Sequence, residues 1–380
     1  MRPVVVLGAT GSIGRQALEV AKHLGAEVRA LSARRGSAEL LAIASAWPDA
    51  YVAVAAPTSD ERERCSTALG TKVSFGPEAV VALAAMAGVT VVNGIVGSEG
   101  LPASVAALEA ANRLGLANKE SLVAGGEIVA GALERGGGEL IPIDSEHSAL
   151  LQCLLGEDPV SVRRLILTAS GGPFFGMPAD RLETVTVEQA LAHPTWKMGR
   201  RITIDSATLL NKAFEVIEAH HLFGFGYDAI DVVVHPQSIV HGIVEFADGS
   251  LKAHLGEPDM RVPIQYALTH PGRRPGMAAP FPFAGTTLTF HEPDRAAFPC
   301  LRLGYEAGRA GGSAPTVLNA ADEIAVRAFL ERRIGFASIP VVIEQTLEQM
   351  GVHSVDSIED VMAVDREARA LAAGHLGGAC

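Results

Sequence analysis

The chain has 380 residues, 48% of them hydrophobic and only 19% charged. Disorder requires low hydrophobicity and dense charge, so this chain folds, and its length suits two or three domains. With 31 basic and 43 acidic residues the formal net charge is −12, which repels a phosphate backbone and argues against nucleic acid as a partner. No apolar run is long enough to span a bilayer, so no membrane segment is expected.

Val4-Val5-Val6-Leu7 ends at Gly8. Four apolar residues are too few for a signal-peptide core of roughly 7–15, and they read as a first strand buried on both faces. Further strands are expected at 27–32, 51–55, 72–75, 89–92 and 139–143, after a first at 3–8. Helices are expected at 13–24, 38–46, 59–69, 77–87, 98–111 and 120–134. This alternation predicts an α/β fold with a doubly wound parallel sheet. Past residue 145 the pattern changes. A helix is expected at 146–155, a strand at 163–168, and a long polar loop at 170–200 containing Gly171-Gly172-Pro173. A helix at 206–223 carries Leu210, Phe214, Ile217 and His221 on one stripe. Strands at 231–235, 239–247 and 250–255 follow, so 145–270 reads as an α+β domain with a long loop at 170–200. Residues 271–295, rich in Pro and Gly, read as a linker, and 296–380 as a C-terminal helical domain. Cys65, Cys153, Cys300 and Cys380 form no C-x-x-C, which fits free thiols in a reducing, cytoplasmic setting.

Gly8-Ala9-Thr10-Gly11-Ser12-Ile13-Gly14 follows the first strand and opens a helix. Glycines there allow a tight turn and let backbone N–H groups approach a pyrophosphate at the helix N-terminus. With this turn, residues 1–144 read as a Rossmann-like dinucleotide-binding domain. The second strand runs into Ser32-Ala33-Arg34-Arg35-Gly36-Ser37, with no acid to bond a ribose 2′-hydroxyl. Two guanidinium groups instead suit the 2′-phosphate of NADP, the alternative being solvated loop residues.

Asp144-Ser145-Glu146 ends the strand 139–143. In extended backbone Asp144 and Glu146 point to one side and repel unless a cation joins them. With Glu215 they form an all-oxygen set suited to Mg²⁺ or Mn²⁺; the alternative is a helix cap with an acid in its first turn. Asp205-Ser206-Ala207-Thr208 is expected to open the 206–223 helix, with Asn211 and Glu215 on one face and Lys212 beside them. Ser, Asn and Lys at a helix start make an anion pocket, or simply a capped helix with a surface lysine. Ser170-Gly171-Gly172-Pro173-Phe174 reads as a second anion-binding turn. Trp196, in His193-Pro194-Thr195-Trp196, is either a lid residue or a packing anchor.

Together these segments resemble the 1-deoxy-D-xylulose 5-phosphate reductoisomerase family over nearly the whole chain. The resemblance also runs through Ala117-Asn118-Lys119-Glu120, His235-Pro236-Gln237-Ser238, Gly256-Glu257-Pro258-Asp259-Met260 and Leu318-Asn319-Ala320-Ala321-Asp322-Glu323. It implies an NADPH-dependent, divalent-metal-dependent oxidoreductase of isoprenoid precursor synthesis, a cytoplasmic homodimer acting on a small sugar phosphate. Mg²⁺ or Mn²⁺ is the implied metal, with Co²⁺ as a substitute. The resemblance also makes the α+β domain at 145–270 a catalytic domain, with 170–200 as its mobile loop. Asp144, Glu146 and Glu215 match its metal ligands. Ser145, Ser170, His193, Trp196, Ser206, Asn211, Lys212 and Glu215 match its substrate contacts. Gly8, Thr10, Gly11, Ser12, Ile13, Asn118, Lys119, Glu120 and Gly199 match its cofactor contacts, joined by Arg34 and Arg35. Lys212, His193 and Glu146 are the catalytic candidates. The chain departs from the family pattern at Arg35, where Asn is usual, and at Phe175, where Arg is common.

Overall fold

The structure is a computed structural model and describes residues 1–376. The strands are β1 (Val4–Leu7), β2 (Val28–Ala33), β3 (Tyr51–Val54), β4 (Val73–Phe75), β5 (Thr90–Asn93), β6 (Arg113–Leu116), β7 (Glu139–Pro142), β8 (Val162–Ala169), β9 (Ile230–Val234), β10 (Val240–Phe246) and β11 (Leu251–Leu255). Helices α1 to α7 are Ser12–His23, Ala38–Ala46, Ser59–Leu69, Pro77–Ala84, Leu101–Glu109, Lys119–Gly136 and Ser145–Leu154. Helices α8 to α12 are Ala179–Leu182, Val187–Ala190, Arg200–Ala207, Leu210–Phe223 and Arg261–Thr269. Helices α13 to α16 are Cys300–Ala310, Ala314–Leu330, Ser338–Met350 and Ile358–His375. No helix among the described residues is long and apolar enough to cross a membrane.

The chain divides into two compact units. The first comprises Met1–Ser121, Glu127–Ser148 and Asp259–Ala279. It is built on a seven-stranded sheet of order β4-β3-β2-β1-β5-β6-β7, every pair parallel. Val4 to Leu7 are fully buried, as a central parallel strand covered on both faces requires. Strand order reverses between β1 and β5, so the crevice outside their carboxyl ends is where an open α/β sheet takes a ligand. β6 escapes sequence reasoning because Arg113 and Gly115 interrupt its apolar run. Gly115 is small because a Cβ there would lie 3.1 Å from Ile143 Cδ1.

The second unit holds Leu122–Gly126, Ala149–Pro258 and the described residues from Pro280 onward. Its four-stranded sheet has the order β11-β10-β8-β9, with β8 and β9 parallel and the other pairs antiparallel. Helices α10, α11 and α13 to α15 share one apolar core with it, including Leu167, Phe214, Leu301, Phe329 and Ile343. Phe174 enters this core and meets Phe336 edge-on at 5.1 Å.

Three local expectations need correction. The helix expected at 206–223 is two helices, broken where Leu209 takes a left-handed conformation (φ +60°). Ser206 therefore lies in the last turn of α10 and does not open a helix. The 170–200 loop contains α8 and α9, whose Leu182, Val187 and Ala190 are buried; four-residue helices are too short to show a period. Finally, β7 stops at Pro142 and α7 begins at Ser145, so Asp144 and Glu146 do not share an extended strand. Cys65, Cys153 and Cys300 are buried free thiols, and burial pushes Cys153 up to about 11. Cys380 lies outside the described residues.

Candidate active site

In the first unit the glycine turn is closed at backbone level. Gly8 has φ +79°, and a Cβ on it would lie 2.7 Å from the Gly94 carbonyl oxygen in the loop after β5. A Cβ on Gly14 would lie 2.2 Å from Gly8 O, so α1 sits directly on the turn. The Gly8 N–H donates to Ser32 Oγ (3.3 Å) and the Ala9 N–H to Ser32 O (2.7 Å). Gly11 precedes α1 in extended backbone without a side-chain cap, leaving the first-turn N–H groups at Ser12 and Ile13 for an anion. Thr10 and Ile13 are half-buried beside them, and a Cβ on Gly94 would lie 3.3 Å from the Ile13 side chain. Gly94 was invisible to motif reading; the turn it abuts lies about 80 residues upstream.

At the end of β2 the two arginines differ. Arg35 Nε donates to both oxygens of Glu61, at 2.9 and 3.2 Å, whereas Arg34 is exposed and has no ion pair or hydrogen-bonded guanidinium among the described residues. Ser37 is spent as the cap of α2, accepting from the Leu40 N–H. Asn118 is buried and caps α6. Its Nδ2 donates to Ile95 O (2.9 Å), Gly97 O (3.0 Å) and Glu120 Oε2 (2.8 Å), and its Oδ1 accepts from the Ser121 N–H (3.0 Å). Its amide is thus engaged with the loop after β5 and with Glu120. Lys119 Nζ pairs with Asp144 Oδ2. Ser145 Oγ donates to Glu146 Oε2 at 2.5 Å in the first turn of α7.

In the second unit the Ser170 turn and the end of α10 lie against each other. A Cβ on Gly172 would be 2.9 Å from Ser206 O and 3.0 Å from Ala207 Cα. Ser170 Oγ lies 2.9 Å from His193 Nε2 and accepts from the Gly172 N–H at 3.2 Å. His193 Nδ1 accepts the N–H groups of Thr195 (3.2 Å) and Trp196 (2.9 Å). An Nδ1 that accepts twice carries no proton, so the neutral ring bears its hydrogen on Nε2 and donates to Ser170. Burial lowers the His193 pKa and favours that neutral form. Trp196 is half-buried, with its ring 6.2 Å from that of His241.

On α11, Glu215 is buried and accepts from Lys212 Nζ (2.5 Å) and Asn211 Nδ2 (2.6 Å). The i, i+3 and i, i+4 spacing puts both partners beside it. Lys212 is itself buried, so the pair is a desolvated cation and anion rather than a surface contact. Gly199 precedes α10 at φ −63°, with no atom near the place of a Cβ.

Three family models match in succession: 1-deoxy-D-xylulose 5-phosphate reductoisomerase over residues 4–126, the C-terminal domain of the same enzyme over 140–223, and the DXP reductoisomerase C-terminal domain over 255–371. The 1-deoxy-D-xylulose 5-phosphate reductoisomerase of Halothermothrix orenii is 47% identical over 377 residues, covering 98% of each chain. That of Xanthomonas axonopodis pv. citri is 49% identical over 378 residues, covering 97% of this chain and 96% of its own. Among solved structures, the enzyme from Zymomonas mobilis in complex with NADPH superposes with a TM-score of 0.91 at 40% identity, covering 99% of both chains. A DOX-P reductoisomerase in complex with NADPH, fosmidomycin and magnesium gives 0.91 at 35% identity, over 99% of this chain and 98% of its own.

Proposed function

The chain belongs to the 1-deoxy-D-xylulose 5-phosphate reductoisomerase family, and from that premise we propose that it converts 1-deoxy-D-xylulose 5-phosphate to 2-C-methyl-D-erythritol 4-phosphate with NADPH and a divalent metal. The observation that carries this reading is the extent of the match, which spans both units, so the nucleotide turn and the anion-binding groups come as parts of one enzyme.

The donor chemistry fits a hard cation. Asp144, Glu146 and Glu215 offer only oxygens, and Lys119 and Lys212 form ion pairs with two of them. When bound, the metal supplies Lewis acidity for the skeletal rearrangement and NADPH supplies the hydride. The chain's own groups do the rest. Ser170, Ser206, Asn211 and Lys212 grip the phosphate, and Ser145, steadied by Glu146, orients the carbon chain. His193 holds its proton on Nε2, as a donor to a substrate oxygen in place of Ser170. Trp196 covers the site and keeps water away. The nucleotide turn from Gly8 to Ile13 takes the pyrophosphate, and Arg34 with Arg35 reads the 2′-phosphate. The same reading makes the protein a cytoplasmic homodimer. In support, β11 is an edge strand with Leu251 61% exposed, an edge that a second copy would cover.

The test is NADPH oxidation on addition of the pentulose phosphate, abolished by EDTA and restored by Mg²⁺ or Mn²⁺. Metal-independent oxidation would mark an ordinary NADP-dependent dehydrogenase and overturn the proposal.

A further inference from the structure

We infer that Arg201 is a positioning residue for the substrate site, anchoring the end of the 191–200 segment and the α10 helix to α14 through Asn319, Asp322 and Glu323. The inference rests on the function proposed above for its effect on substrate, though the anchoring itself does not.

The start of α10 is poorly held by its own sequence. Gly199 gives no side-chain cap, the first turn has no acid, and Arg200 and Arg201 put two positive charges at the positive end of the helix dipole. A helix start with the wrong charge and no cap needs a tertiary partner. Arg201 has one on every nitrogen. Nη1 meets Glu323 Oε1 at 2.5 Å, Nη2 meets Asn319 Oδ1 at 2.8 Å and Asp322 Oδ2 at 3.0 Å, and Nε meets Asp322 Oδ2 at 3.2 Å. Asp205, one turn on in the same helix, lies 3.7 Å from Nε. Glu323 in turn pairs with Arg369 of α16, which also holds Asp365 at 2.5 Å. Asn319 and Asp322 are fully buried, so the fork of donors is read by fixed acceptors rather than by mobile surface groups.

This gives the Leu318-Asn319-Ala320-Ala321-Asp322-Glu323 motif of the tail a task. It receives Arg201, and through Arg201 it fixes α10, whose Ser206 and Ala207 backbone sets the Gly172 turn and whose last turn carries the Ser206 hydroxyl. The 191–200 segment, with His193 and Trp196, runs without regular structure from Leu191, next to the buried Ala190 of α9, to α10. Arg201 is thus the fixed post at one end of the segment that carries the proposed proton donor and cover.

The experiment compares wild type with Arg201→Lys, Arg201→Met and Asn319→Ala, each as the full chain. The readouts are NADPH dissociation constant, KM and kcat for the pentulose phosphate, and the rate of protease cleavage within 191–200 without ligand. For Arg201→Met we expect KM to rise at least ~10-fold, kcat to fall by less, NADPH affinity to stay within about twofold, and cleavage to quicken about fivefold or more. Lys keeps the charge but not the fork, so Arg201→Lys should fall between. Asn319→Ala removes one neutral acceptor, leaves the ion pairs and should still raise KM severalfold, which keeps the test alive if Arg201→Met does not fold. Unchanged KM and unchanged cleavage in the folded variants, or a loss confined to melting temperature, would overturn the inference. A wild-type chain that fails to oxidise NADPH with the pentulose phosphate would refute the proposed function, while the cleavage comparison would still decide the anchor.

Discussion

Replacing Arg34 with Ala should weaken NADPH about 10-fold and leave NADH almost untouched. A hydrogen bond to a charged group contributes roughly 1.5–3 kcal/mol, and solvent around exposed Arg34 puts its phosphate contact at the lower end. About 1.4 kcal/mol per decade then gives the tenfold figure. Arg35 is not equivalent, because its Nε already donates to both oxygens of Glu61. A phosphate must share it with that carboxylate, so Arg35→Ala should cost only about two- to fourfold. The same geometry predicts a gain. Glu61→Gln removes the competing negative charge but keeps the oxygen that accepts the Thr58 N–H in the capping box of α3, so the helix start survives. NADPH should tighten severalfold and NADH should not. The assay is a fluorescence titration of both cofactors with each variant at low and high salt, where screening should shrink every NADPH effect. Equal losses for NADPH and NADH in Arg34→Ala would refute the reasoning and reduce both arginines to loop supports.

Glu215→Gln should lower turnover at least ~100-fold, about 2.7 kcal/mol of transition-state stabilisation, with NADPH binding intact; near-normal activity at saturating Mg²⁺ would remove Glu215 from the metal site. With Trp47, the other of the chain's two tryptophans, replaced by Phe, fosmidomycin should quench or shift the Trp196 emission and slow proteolysis of 191–200; unchanged emission and cleavage would leave Trp196 a packing residue. Burial, helped by the neighbouring His220, lowers the His221 pKa to about 4, below the roughly 6.5 of an unfolded chain. As pH falls through that window the unfolded chain takes up a proton that the folded chain refuses, so stability should drop by about 3 kcal/mol between pH 7 and about 4. Urea unfolding of His221→Leu should show a pH dependence shallower by that amount, and an unchanged slope would place the acid sensitivity elsewhere.

Much of the sheet of the first unit was readable because parallel strands are continuous apolar runs bounded by turn residues. β6 was not, since Arg113 and Gly115 dilute a four-residue strand whose burial comes from neighbours distant in sequence. The Leu209 break was hidden for a similar reason. Leucine is a strong helix former, and the left-handed turn is imposed by packing that leaves it buried. α12 went unread because its sequence neighbours on either side belong to loops, while it packs with the first unit. The candidate site residues stand out in the sequence as types and spacings, but not in their states. Nothing in the sequence says that Arg35 is engaged by Glu61, that Asn118 is exhausted by its own loop, or that His193 carries its proton on Nε2. Those follow from partners that only folding brings near.

The closed glycine turn has a consequence for how such an enzyme can change its diet of cofactor. At Gly8 and Gly14 an added methyl group would meet main-chain atoms, which cannot step aside as a side chain would. The proposed grip on the pyrophosphate, common to both nicotinamide dinucleotides, is therefore closed to gradual variation. Arg34 and Arg35, proposed to distinguish the two, are exposed to solvent. Lineages, and laboratory libraries, are free to move between NADPH and NADH by surface exchanges at these two positions, while the cradle beneath stays the same.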